Sequence, residues 1–144
     1  MGKRFGRLLL FLGLLAVAAW FGFGHRVDES AVTAALAKAD VTCRNAGQAD
    51  GEHYFLVAPT VLETDDGDVL VYQCWFTPLA LWQAGTVGNG GYSIGTAMIH
   101  WPDPPHFYRY GSTLVQYVGS NDAICEALTK LMGQQFAGAA RTEK

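Results

Sequence analysis

The chain has 144 residues and a formal net charge of −3, enough for one modest hydrophobic core but not for two. All thirteen acidic residues follow Arg26, whereas only six of the ten basic ones do, so the part beyond Arg26 carries a net −7. That body lacks the clustered Lys and Arg needed to neutralise phosphates, which excludes nucleic acid as a partner.

At the N-terminus, Lys3, Arg4 and Arg7 precede an uncharged apolar run from Leu8 to Phe23, with Arg26 just beyond. A basic stem is held on the cytoplasmic side, so this layout delivers the remainder of the chain to the far side of a membrane. Sixteen residues at a rise of about 1.5 Å cover roughly 24 Å, short of a hydrocarbon core of about 30 Å. Local thinning, with Trp20, Phe21 and Phe23 as interfacial aromatics, absorbs the deficit. Ala16-Val17-Ala18 fits the small-x-small pattern of a signal peptidase site, but the chain stays apolar for five residues after it. The reading is therefore a retained anchor over residues 1–26, single-pass in the inner (cytoplasmic) membrane. Residues 27–144 then form one domain on the periplasmic or extracytoplasmic side, and secretion after signal cleavage is the alternative.

Asp28, Glu29 and Ser30 open a helix that runs to Ala39, with a capping side chain and acids that suit the helix dipole. Val41 to Arg44 alternates as a strand, Asp50-Gly51 marks a turn, and His53 to Ala58 reads as a second strand. Val61-Leu62 and Val69 to Phe76 form a hairpin across the Gly67 turn. Leu79, Leu81 and Trp82 fall in a glycine-rich connector that runs to Gly91 and lacks the G-K-[ST] ending of a phosphate loop. Tyr92 to Trp101 is a further strand, Pro102 to Pro105 break it, and Ser112 to Val118 supply another. A last helix starts at Ser120 or Asn121, places Ile124, Leu128, Leu131 and Phe136 on one face, and weakens at Gly133. This order predicts an α+β fold, a small antiparallel sheet flanked by two helices.

Cys43, Cys74 and Cys125 fall in an oxidising compartment if the leader reading holds. Cys125 shares the apolar side of the last helix with Leu128 and Met132, as a buried thiol would, which leaves Cys43 and Cys74, both in strand-like stretches, as the expected disulfide. The absence of a CxxC motif argues against a thioredoxin-type site and a zinc ribbon.

Gly91-Tyr92-Ser93-Ile94-Gly95 matches the G-x-S-x-G nucleophile elbow, but the chain enters a strand rather than a helix after Ser93, and it is too short for the parallel sheet of that fold. His100, Asp103 and His106 carry donor types suited to zinc or copper, with His53 as a possible fourth, yet Pro102, Pro104 and Pro105 forbid the helix that would gather them. Neither motif supports catalysis or a metal, and no cofactor is expected.

The remaining signal is Trp101, Phe107, Tyr108, Arg109 and Tyr110 on a proline-framed loop, with Trp82 beside it. Trp, Tyr and Arg contribute large contact area with few rotors to freeze and anchor protein interfaces; packing over the domain's own core is the competing explanation. The sequence thus points to a non-catalytic, membrane-anchored module with a protein partner, an accessory or assembly subunit of a cell-envelope complex. An acidic periplasmic inhibitor or immunity protein capping a secreted enzyme is the alternative, and a small hydrolase or metal-binding protein the third reading.

Overall fold

The layering follows from apolar side chains on both faces of the central strands. The structure, a computed structural model, describes Leu12 and residues 26–140, so the apolar run from Leu8 to Phe23 lies outside the described residues except for Leu12. Strands β1 (Cys43–Gln48), β2 (Thr60–Thr64), β3 (Val69–Gln73), β6 (Pro105–Tyr110), β7 (Thr113–Val118) and β8 (Ala137–Gly138) build one antiparallel sheet in the order β1-β2-β3-β7-β6-β8. Because successive strand residues point to opposite faces, Val69, Val71, Tyr108, Val115 and Tyr117 enter one core cluster. Leu70, Tyr72, Phe107 and Leu114 enter another. A sheet apolar on both faces must be covered on both. Helices α1 (Glu29–Lys38) and α3 (Asp122–Met132) cover the first face; α2 (Thr77–Gly85) and the two-residue strands β4 (Ser93–Ile94) and β5 (Ala97–Met98) cover the second. The fold is α+β as expected, with three helices among the described residues rather than two.

The first and last helices form where the sequence places them. Asp28 caps α1, its carboxylate accepting from the Ala31 N–H at 2.9 Å, and Val32 and Leu36 are its buried stripe. The helix ends with Asp40 at a positive φ of 57° and with the Val41 N–H donated to the Leu36 carbonyl, a left-handed stop that glycine usually supplies. Asn121 caps α3 by accepting from the N–H groups of Ala123 and Ile124, and Ile124, Cys125, Leu128 and Met132 face the sheet. Phe136, expected on the same helix face, lies beyond the helix and packs on Phe107 with ring centroids 6.2 Å apart.

Elsewhere the structure corrects the sequence reading. The connector after Thr77 is helical: Pro78 sits in its first turn, where a missing N–H costs nothing, and Ala80, Gln83 and Ala84 are buried beneath it. His53 to Ala58 forms bends rather than a strand, and Tyr92 to Trp101 contributes only the short β4–β5 hairpin. The segment from Pro105 to Tyr110, expected as loop, is the interior strand β6, paired with β7 along its length and with β8 at His106 and Phe107. β8 can lie close because Gly138 adopts φ +134°, where a side chain would run into the Pro105 carbonyl. The hairpin of β2 and β3 closes through Asp65, Asp66 and Gly67, the last at φ +110°.

Strand pairing gives the sheet two distinct ends. One gathers Gln48, Thr60, Gln73, Tyr110 and Thr113; the other gathers Thr64, Val69, Pro105 and Val118. Residue 26 enters at the first. The Arg26 Nε–H donates to Gln73 Oε1, and the Val27 backbone is bonded both to Gln73 and to the Thr113 hydroxyl.

Candidate binding surface

The layer over the second face of the sheet carries five of the exposed large apolar side chains. Gln83, buried under α2, donates to Cys74 Sγ and accepts from the Leu56 N–H at 2.6 Å, which draws the loop from Gly51 to Pro59 alongside the helix. The β4–β5 hairpin joins on the other side, where the Gly95 N–H donates to the Thr86 carbonyl and Val87 bridges to Ile94. With Ala80, Ala84, Phe55, Ile94 and Ile99 facing inward, the outer surface is left to Tyr54, Leu81, Trp82, Tyr92 and Met98, all exposed, Trp82 at 62% and Met98 at 77%. Tyr54 stands edge-on to Trp101 at 5.8 Å.

The residues expected at a partner surface separate on this architecture. Trp82 is on it. Trp101 is half-buried at its margin, donating its indole N–H to the Gly91 carbonyl at 2.7 Å and leaning on Phe107. Phe107 and Tyr108 are core residues of opposite faces, 1% and 0% exposed, and the Tyr108 hydroxyl donates to the Cys125 carbonyl. They cannot meet a partner, because alternation along β6 turns one side chain into each cluster. Arg109, half-buried, donates to the Gly111 carbonyl in the β6–β7 turn, and Tyr110 beside it is exposed. Tyr54, Leu81, Tyr92 and Met98 escaped the sequence reading. Their signal was indirect: with α2 recognised from Thr77-Pro78 and the Ala80, Gln83, Ala84 spacing, Leu81 and Trp82 fall on its outer side.

The expected Cys43–Cys74 disulfide is not formed, and Cys43, Cys74 and Cys125 are all free thiols. Cys43 packs against the cluster beneath α1 and α3, while Cys74 belongs to the cluster beneath α2. The sheet stands between them. Burial pushes the Cys74 thiol up to about 11, the nearby Arg26 opposing the rise. Burial, and secondarily the Glu63 carboxylate, also raises Asp68 from its ordinary value.

The two chemical motifs are not assembled into sites. Ser93 opens the two-residue strand β4 opposite Met98 and is followed by β5 rather than a helix. His100 and Asp103 are exposed, whereas His106 is buried against Tyr117, its ring nitrogens held by Gln135 Oε1 at 2.7 Å and the Gly119 carbonyl at 3.2 Å. Among the described residues, no group of three His, Cys, Asp or Glu side chains is placed to hold a metal ion, and no helix is long and apolar enough to cross a membrane. No family model, characterised protein or solved structure matches the chain.

Proposed function

We propose that this chain is a non-catalytic binding module tethered to a membrane, an accessory or assembly subunit of a cell-envelope complex whose protein partner docks on the layer formed by α2, the β4–β5 hairpin and the loop before β2. The observation that carries the reading is the joint exposure of Tyr54, Leu81, Trp82, Tyr92 and Met98 on that one layer. Large apolar side chains exposed together mark interaction sites, and Trp and Tyr are the commonest anchors among them. The tether rests on Lys3, Arg4, Arg7 and the apolar run to Phe23. The scatter of Ser93, His100 and His106 over exposed and buried positions supports binding over catalysis.

Affinity purification of the full chain from membranes, with mass spectrometry, identifies the partner. Trp82→Ala should then weaken it by about 2 kcal/mol, roughly thirtyfold in affinity, with an unchanged melting temperature, since the side chain is exposed. Unaltered affinity in Trp82→Ala and in Leu81→Ser sinks the reading. The alternative, an acidic inhibitor or immunity protein, draws on a shallow cleft of ≈ 490 Å³ lined by Asp65, Asp66, Asp103 and Asn121 at the far end of the sheet. It requires a basic enzyme as partner and loss of binding in Asp65→Asn with Asp103→Asn, not in Trp82→Ala.

A further inference from the structure

The end of the sheet at which residue 26 enters has a surface of its own. Beyond Gln73, which holds Arg26 and Val27, come Cys74, Trp75 and Phe76, and the Cys74 N–H donates to the Ser112 carbonyl of the β6–β7 turn. That contact sets Trp75 and Phe76 next to the turn bearing Arg109 and Tyr110. Trp75 is 67% exposed, and Phe76 and Tyr110 are exposed as well. Leu56 lines, with Trp75, a shallow cleft of ≈ 280 Å³ at the same end. Two arginines, two aromatics of the interfacial kind and two further apolar side chains thus surround the point where the chain leaves for its apolar N-terminal run.

The length of that departure sets where this end can be. Only Gly24 and His25 separate Phe23 from Arg26, and three residue steps reach at most about 11 Å. The polar zone on each side of the hydrocarbon is itself about 5–8 Å deep. If the run to Phe23 lies in a bilayer, the Arg26 end of the domain stands at most a few ångströms beyond the headgroups. Trp and Tyr favour that zone because their rings are apolar with one wet end, and Arg can extend its guanidinium to phosphate from an apolar stem. We propose that the Arg26 end of the sheet, through Trp75, Phe76, Leu56 and Tyr110, docks on the lipid headgroup surface and fixes the domain upright on its anchor. The docking rests on the anchor reading of the N-terminal run. It also orients the partner layer, which covers a face of the sheet rather than this end, sideways along the membrane, and turns the Asp65 to Asp68 turn away from it.

Docking is driven by the aromatic side chains rather than by charge, because Arg26 and Arg109 share this end with Asp28, Glu29, Asp50 and Glu52. Binding should therefore be alike on zwitterionic and anionic vesicles, unlike that of a polybasic segment.

The test places the full chain in phosphatidylcholine vesicles whose acyl chains are brominated near the headgroup, and reads quenching of tryptophan. Three proteins each keep one tryptophan, Trp20, Trp75 or Trp82, with the others changed to Phe, and far-UV circular dichroism checks each fold. Trp20 and Trp75 should lose most of their emission and Trp82 little. If Trp101→Phe loosens the fold, the otherwise natural chain serves: Trp75→Phe should remove a quenchable component that Trp82→Phe leaves in place. Quenching of Trp20 without Trp75 overturns the docking while keeping the anchor. Absence of quenching at Trp20 overturns the anchor and the docking together. Repeating the measurement with phosphatidylglycerol added should change nothing, and a strong gain there would replace aromatic docking by electrostatic attraction.

Discussion

Tyr108 is fully buried and its hydroxyl donates to the Cys125 carbonyl, so truncation removes a large packed ring and leaves an acceptor on α3 short of one partner. Tyr108→Ala should cost about 3–5 kcal/mol of stability, read as a lower denaturation midpoint, while the affinity of the folded fraction for its partner stays as it was. Trp82→Ala should show the reverse pattern, and the pair of measurements separates core from surface. Cys74 supplies a residue-level test in pH. Its thiol is raised from 9.0 to about 11 by burial, so the native state keeps a proton that the unfolded chain releases. Stability from this group is complete below pH 9 and is lost as pH rises through 11. Tyr72 and Tyr117, whose phenols burial also pushes up, act in the same direction from pH 10. Melting temperature should fall across this window, and Cys74→Ala should make the fall shallower. A melting temperature flat from pH 8 to 11 would contradict it.

At the scale of the element, α3 depends on one side chain for its start. Asn121 accepts from two N–H groups of the first turn and its amide donates to Asp66, tying the helix to the β2–β3 turn. Asn121→Ala should destabilise the domain by about 1–2 kcal/mol, measured by chemical denaturation, whereas Asn121→Asp should keep the cap but lose the donor to Asp66. Elements with such local markers were legible in the sequence: α1 from Asp28, α3 from Asn121 and Gly133, the β2–β3 hairpin from its Gly67 turn, and β7 from its β-branched run. What escaped depended on distant partners. β6 follows Pro102 and Pro104 and begins at Pro105, and its His106-Phe107-Tyr108 stretch is buried on both faces, so it has no regular polar alternation to announce a strand; only pairing with β7 and β8 makes it one. β8 is two residues long and exists through β6. The surface was half legible for the same reason, since Trp82 stands out by composition while the exposure of Leu81 follows from the helix beneath it. Cys43 and Cys74 both lie on strands or at their ends, as expected, but the side of the sheet each takes is set by register, which spacing alone does not reveal.

For the whole molecule, the first measurement is intact mass. The retained anchor predicts a membrane-extracted species that includes residues 1–26, and one beginning at Ala19 would establish cleavage instead. The order β1-β2-β3-β7-β6-β8 carries a further consequence, one of timing. A chain made from its N-terminus acquires β1, β2 and β3 together as a meander of close neighbours, but the outer edge of β3 has its partner forty residues later, where Gln73 meets Thr113. Until β7 emerges, Val69, Leu70 and Val71 border a row of unpaired backbone groups, the template on which strands from other chains add. The sheet then has to accept β7 and β6 as a hairpin and wait again for β8, a non-local sequence of closures that slows folding. A chain threaded through a membrane in extended form meets the same interval on the far side. If the proposed export holds, a holding chaperone there would matter most while the chain has emerged past Gln73 but not yet to Thr113.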